Sequence, residues 1–315
     1  VVKGPQGTLF GRNSSAGAIS LITNKPNLEE NSLELTVGAG NEGQRKYEAY
    51  GNLAVNDKLG FRLSVRHDER DGVWKNTATG DELNNRDHTN ARLAMRYEAS
   101  DVFTADLSVE SVTIDTRAGT ADLADAFVGR VQQNKLPSQD ISSERYLLKL
   151  IWDINDFMTL TSNTSFLDYD MTVAPVDVDV TDVLFIHLLE PENGTQFVQE
   201  LRLNGGSDNL NWFLGASYID EELENHTTYQ WNDSNLADLL VAPGFGDVLC
   251  AGLPCLDFAE QRHDAATDNT SFAVYGDAAW NINDRLTLTV GARYTKDEKD
   301  FLVNQPINNS AISAL

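Results

Sequence analysis

The chain has 315 residues, with 48 Asp and Glu against 24 Lys and Arg, and a formal net charge of −24. With twice as many acids as bases it lacks the basic surface that phosphates demand, which excludes nucleic acid as a partner. The longest apolar run, Val183 to Leu189, is broken by His187 and falls short of the roughly 20 residues of a spanning helix. Any membrane would have to be crossed by strands.

The chain opens on Gly4-Pro5-Gln6-Gly7-Thr8-Leu9-Phe10-Gly11-Arg12-Asn13-Ser14-Ser15-Ala16-Gly17-Ala18-Ile19-Ser20, running on to Thr23-Asn24-Lys25-Pro26. Closely spaced glycines and an early proline predict a tightly turned backbone, and Ala18 to Thr23 reads as a strand that Pro26 ends. Gly4 to Gly11 lacks the Lys-Ser/Thr ending of a phosphate loop, and no helix pattern follows as a dinucleotide fold would need.

The stretch closely resembles the end of the plug domain of TonB-dependent outer-membrane receptors, with Gly11-Arg12, Ala16-Gly17-Ala18 and Lys25-Pro26 all in order. The resemblance implies that residues 1–31 are the C-terminal end of a plug plus linker, and 32–315 the N-terminal half of a barrel. It places Gly4, Gly7, Gly11, Arg12 and Gly17 at the plug–barrel contact. An arginine held inside a barrel needs carboxylate partners, since an isolated buried charge is costly. Glu48, Asp106 and Glu110 are the candidates on this chain.

Beyond a polar linker, Asn27 to Asn31, apolar and polar residues alternate. Examples are Leu33, Leu35 and Val37; Tyr47 to Val55; Phe61, Leu63 and Val65; Ala91 to Tyr97; Phe103 to Val109; Tyr146 to Trp152; Trp212 to Tyr218; Phe272 to Trp280; and Leu286 to Tyr294. This period of two gives each sheet face its own set of side chains. Residues 157–167 and 196–204 read as strands with less clean facing. The expected class is all-β: an antiparallel transmembrane barrel segment of about eleven strands, out of the roughly 22 that the resemblance implies.

Two kinds of connection alternate. Asn56-Asp57, Ser100-Asp101, Asn155-Asp156, Ser207-Asp208 and Asn283-Asp284 mark tight turns, whose Asn, Ser and Asp side chains bond nearby backbone. The longer connections are expected near 71–87, 116–143, 171–195 and 223–269. All the tight turns fall at the end where the linker enters, so that rim is expected in the periplasm and the long loops outside. Short turns on one rim and long loops on the other, with strict alternation, is an outer-membrane barrel pattern. Tyr97, Phe103, Trp152, Trp212 and Trp280 lie beside the tight turns, where an interfacial girdle belongs. Within 116–143, Leu123, Phe127 and Val131 with Ala124 and Val128 have helical spacing after a possible Thr120 cap.

Cys250 and Cys255 are read as a small loop disulfide, with two free thiols as the alternative. His67, His88, His187, His226 and His263 are scattered without zinc spacing. Asp177 and Asp179 would share one face of a strand extension, but a calcium site needs more oxygens than that. No catalytic constellation, cofactor site or metal site emerges. Trp74, Asp177, Asp179 and Trp231 are nominated as loop residues for cargo contact, although no motif fixes specificity.

Gln199-Glu200-Leu201-Arg202-Leu203, Trp212-Phe213-Leu214-Gly215-Ala216 and Leu286 to Asp297 extend the resemblance over nearly the whole chain. It implies a non-enzymatic receptor in the outer membrane of a Gram-negative bacterium that imports a scarce nutrient, with a ferric siderophore or similar iron complex as the leading cargo. The implied partners are outer-membrane lipid, the extracellular nutrient complex and the inner-membrane TonB energy-coupling complex, reached through an N-terminal box that this chain lacks. The alternative is a passive pore or surface-adhesion barrel. A soluble β-sandwich enzyme fits less well, because nothing there would band aromatics at one rim.

Overall fold

The structure is a computed structural model describing residues 1–4, 16–117, 128–178, 181–241, 243–252, 255 and 258–306. In chain order the elements are β1 (Val2–Lys3), β2 (Gly17–Ala18), β3 (Ser32–Ala39), β4 (Arg45–Ala54), β5 (Leu59–Arg70), β6 (Trp74–Asn76), β7 (Glu82–Leu83), β8 (Arg86–Ser100), β9 (Phe103–Thr116), β10 (Arg130–Val131), β11 (Ser138–Asn155), β12 (Met158–Asp177), β13 (Ile186–Ser207), β14 (Leu210–Trp231), α1 (Asp233–Leu240), α2 (Phe245–Gly252), β15 (Ala259–Asn283) and β16 (Leu286–Asn304). Eleven of the strands form one sheet, with β3 at one edge and β16 at the other. Each is antiparallel to its sequence neighbour in the sheet. β1 and β2 pair separately, and β10, β6 and β7 form a small sheet among the loops.

The tight turns fall where the Asn-Asp and Ser-Asp pairs predict, and the asparagines make them. Asn56 Oδ1 accepts from the amides of Lys58 and Leu59, Asn155 Oδ1 from Phe157, and Asn283 Oδ1 from Arg285. Register shifts at Glu98/Ser100, Asp153/Asn155 and Asn281/Asn283 sit immediately before three of these turns. A bulge there adds twist and terminates pairing at the rim.

One sheet face carries a band of apolar side chains. Leu33, Leu63, Leu93, Leu107, Leu214, Val274 and Val290 are all exposed on it. Such a face has no core to bury in and is matched only by an apolar solvent. Aromatics bound the band at both ends. Trp152, Trp212 and Trp280 stand near the tight turns. Toward the loops a second row runs through the cross-strand pairs Tyr146–Phe166 and Phe197–Tyr218, with ring centroids 6.4 and 6.5 Å apart. Gly205 faces Trp212, whose ring would lie 2.2 Å from an added Cβ, so only glycine lets that indole lie flat.

The long connections are shorter than the alternation suggests. β12 continues to Asp177 and β13 begins at Ile186, which leaves 178–185 rather than 171–195; the last loop is 232–258 rather than 223–269. At 22 residues each, β13 and β14 are about twice the length a tilted strand needs to cross the hydrocarbon. Beyond it both faces meet water and alternation disappears while backbone pairing continues. The 71–87 connection likewise holds β6 and β7, and 116–143 narrows to 117–137. The helix expected over 120–131 falls largely outside the described residues, and Val131 lies in β10.

Because β3 and β16 are not joined, the sheet is open. Each unpaired backbone group in hydrocarbon costs several kcal/mol, and two edges expose rows of them. Residues 1–315 produced alone should therefore aggregate or pair edge to edge in detergent. Gel electrophoresis with and without boiling checks this: a monodisperse monomer whose mobility shifts on heating would mean that the chain closes on itself.

Candidate functional site

The sheet face opposite the apolar band is charged, and the linker lies on it. Asn52, 6% exposed, holds the linker at two levels: Oδ1 accepts from the Asn27 amide at 2.9 Å, while Nδ2 donates to the carbonyls of Asn27 at 2.9 Å and Glu30 at 2.7 Å. Asn31 Oδ1 accepts from the Ala54 amide, and Pro26 is buried. Lys25 lies 3.2 Å from Asp106 Oδ2, and Arg92 reaches the Asn24 carbonyl at 3.5 Å. Residues 24–31 thus lie on the polar face of the sheet rather than on its apolar side.

The wall of that concavity is a lattice of pairs within and between strands. Glu48 lies 2.9 Å from Lys46 and 3.6 Å from Arg66, and Arg96 meets Glu98 at 2.8 Å and Asp106 at 3.5 Å. Further round, Tyr275 donates its hydroxyl to Glu200. The Arg202 guanidinium stacks 4.0 Å from the Phe213 ring, and Arg293 sits 4.9 Å from that of Tyr275. Gly215 makes room for this cluster, because a Cβ there would fall 2.3 Å from the Tyr275 ring. Such satisfied polar networks hold a wall rigid without closing it to water.

At the loop end, three connections are tied together. β10 pairs in parallel with β6, and Asn76 grips the backbone of Gln133 by donating to its carbonyl at 2.8 Å and accepting from its amide at 3.2 Å. The next residue, Asn134, donates its amide to Asp177 Oδ2 at 2.9 Å and contacts His187 Nε2 at 2.5 Å through Oδ1. Asp177 and His187 are themselves register partners on β12 and β13. Leu83 and Val131 fill the small core beneath. In the 232–258 connection Asn232 caps α1, Asn235 Nδ2 reaches the Leu184 carbonyl, and Ala237 packs against Phe245 and Cys255.

Among the residues expected at a plug–barrel contact, Gly4 takes φ +84° and donates its amide to the Ala16 carbonyl at 3.1 Å, while Gly17 takes φ +146° in β2 opposite Lys3. Gly7, Gly11 and Arg12 lie outside the described residues. Of the acids considered for Arg12, Asp106 is engaged by Lys25 and Arg96, Glu48 by Lys46 and Arg66, and Glu110 accepts from Asn90. Of the nominated loop residues, Trp74 lies in β6 and Asp179 is outside the described residues. Asp177 is fully buried, and Trp231 is buried with its indole N–H donating to Asp233 at 2.9 Å. Both are buried, so neither offers an exposed side chain to a cargo. Cys250 and Cys255 are joined by a disulfide. Sequence reasoning missed the Asn52 clamp and the Asn76–Gln133 and Asn134–His187 ties, because single asparagines and glutamines in loops carry no periodic signal.

The fold and its two faces define an antiparallel transmembrane β-barrel segment. The family model described as TonB dependent receptor-like, beta-barrel matches residues 35–312, and the chain belongs to that family. Among solved structures it is similar to the ferric yersiniabactin uptake receptor FyuA from Yersinia pestis, at TM-score 0.79 and 15% identity, covering 98% of this chain and 47% of that one. It is also similar to P. aeruginosa FpvA bound to a heterologous pyoverdine and iron, at TM-score 0.67 and 13% identity, over 98% of this chain and 42% of that one. The alcaligin outer membrane receptor FauA from Bordetella pertussis aligns at TM-score 0.60 and 13% identity, over 98% and 44%. The chain spans about half the length of the solved structures it matches.

Two outcomes are expected from this geometry. Asn52→Ala in the full-length receptor leaves three linker backbone groups without their partner, and losing such bonds costs about 1–3 kcal/mol; a drop in the thermal unfolding midpoint and faster proteolysis near Asn27 are the readouts. In non-reduced peptide maps, Cys250 and Cys255 should appear as one linked pair. Quantitative alkylation of both without reductant would reject that pairing.

Proposed function

We propose that this chain is part of an energy-coupled receptor that lies in the outer membrane of a Gram-negative bacterium and imports a ferric siderophore or a similar iron complex. The observation that carries the reading is the division of the two sheet faces. An apolar band between two aromatic rows faces away from a charged concavity, and the end of a glycine-rich segment is bolted into that concavity through Asn52 and Lys25. A passive pore has no use for a lead-in segment fastened to its inner wall. Residues 1–31 are read as plug end and linker, 32–315 as barrel, with Gly4, Gly7, Gly11, Arg12 and Gly17 at their contact.

The tight turns face the periplasm and the tied loops face outside. Family membership supports partnership with the TonB energy-coupling complex through a segment upstream of this chain. The iron cargo is supported by what the similar structures carry: FyuA takes up ferric yersiniabactin, and the FpvA structure holds a pyoverdine with iron. No step in this function makes or breaks a covalent bond, so the protein acts as a transporter rather than an enzyme.

Deleting the parent gene should abolish accumulation of one iron-55 chelate in iron-starved cells, and dissipating the proton gradient should do the same in wild type. Uptake of every chelate tested that persists in the deletion strain would refute the reading. Uptake that depends on the gene but survives loss of the gradient would favour a passive pore.

A further inference from the structure

A chain with twice as many acids as bases would be expected to line its concavity with carboxylates. Instead, the charged face of β5 and β8 carries Arg62, Arg66, Arg70, Arg86, Arg92 and Arg96. Between Arg66 and Arg86, at the loop end of these strands, lies a cavity of about 370 Å³ that also reaches His88 and Asn90. Its floor is Asp68, 3% exposed, whose Oδ2 accepts from Arg66 Nη2 at 3.1 Å and Arg86 Nη1 at 3.3 Å. The carboxylate is hidden while the guanidiniums are not: the Arg66 side chain is 51% exposed and that of Arg86 39%. Asp68 thus orients both cations toward open space, with Glu48 set back 3.6 Å from Arg66 Nε.

Within the lining of this cavity two arginines face one aspartate, while Glu69, Asp71, Glu82 and Asp87 line a neighbouring cavity that Arg70 and Arg86 also border. Arg70 donates to the Asn84 carbonyl at 2.6 Å, its Nε is buried without a hydrogen-bond partner, and it forms no ion pair among the described residues. The cavity is also remote from the linker. Arg62 is the register partner of Asn52, and Asp68 stands six residues further along β5, about 20 Å at the usual rise of a strand. Guanidiniums held in a fork suit planar oxygen anions, which accept two parallel N–H donors.

We infer that Arg66 and Arg86, positioned by Asp68, form a subsite for an oxyanion group of the cargo, so that the imported chelate is anionic. The inference rests on the import reading above. It selects among iron complexes by charge: carboxylate-rich or catecholate chelates over neutral or cationic hydroxamates. A carboxylate of the receptor's own upstream segment offers the same chemistry, and the test separates the two sources.

Purified full-length receptor is titrated by calorimetry with ferric citrate, a neutral ferric trihydroxamate and a cationic ferric trihydroxamate. The variants are R66Q/R86Q and R66Q/D68N/R86Q, the latter leaving no buried carboxylate without partners. Binding of the anionic chelate should be the tightest and should weaken with added salt. Both variants should lose about tenfold in affinity, equivalent to about 1.4 kcal/mol, while keeping the unfolding midpoint of the triple variant close to wild type. Preferred binding and uptake of a neutral or cationic chelate, unaffected in the variants, would overturn the subsite and leave the import reading standing. Unchanged affinity with a lowered midpoint would assign the arginines to an internal carboxylate and equally overturn it. If no ferric chelate binds or enters cells, both readings fail together.

Discussion

Everything in this structure depends on backbone hydrogen bonding in a solvent that offers none. In hydrocarbon every N–H and C=O must find a partner within the protein, and antiparallel strands meet that demand only with the neighbour on each side. Nine of the eleven sheet strands have both neighbours; β3 and β16 have one. The side chains are then free to be sorted by face. Lipid accepts apolar groups on the outside and water accepts charges on the inside, so alternation follows from the pleat.

The exceptions to alternation show how the rule is enforced. Ser162, Thr164 and Gln199 share the apolar face, which is why strands there read poorly in the sequence. In the structure Thr164 Oγ1 donates to Gln199 Oε1 at 2.7 Å, and Gln199 Nε2 donates to Ser162 Oγ at 3.0 Å. The three satisfy each other across β12 and β13. A polar group that carries its own partner loses much less on entering an apolar medium than a lone one.

The strand order, the tight turns and the turn-side aromatics were legible in the sequence, because each depends on a local rule: period two, Asx turn chemistry, or a large amphipathic ring at an interface. The second aromatic row was not. Tyr146, Phe166, Phe197 and Tyr218 align only once the registers of four strands are known. Loop lengths were overestimated for the opposite reason, since pairing outlasts the hydrophobic signal that reveals it. The loop ties through Asn76, Asn134 and His187 join residues more than fifty positions apart, and nothing in either segment announces the other.

The charged wall is the least legible part and the most telling. Net charge is a sum over the chain, and at −24 it points away from any anion-binding surface. Burial changes the local balance. Glu48 and Asp68 are tucked beneath the arginine they share, their side chains 11% and 5% exposed against 51% for Arg66. What a solute in the lumen meets around Asp68 is therefore the guanidinium ends of Arg66 and Arg86, with the compensating carboxylate set back in the wall. Aspartate is short and arginine long, so a strand pair that alternates them presents its cations by geometry alone. An acidic protein can in this way expose a basic interior, and the sign of that interior follows from side-chain length and register rather than from composition.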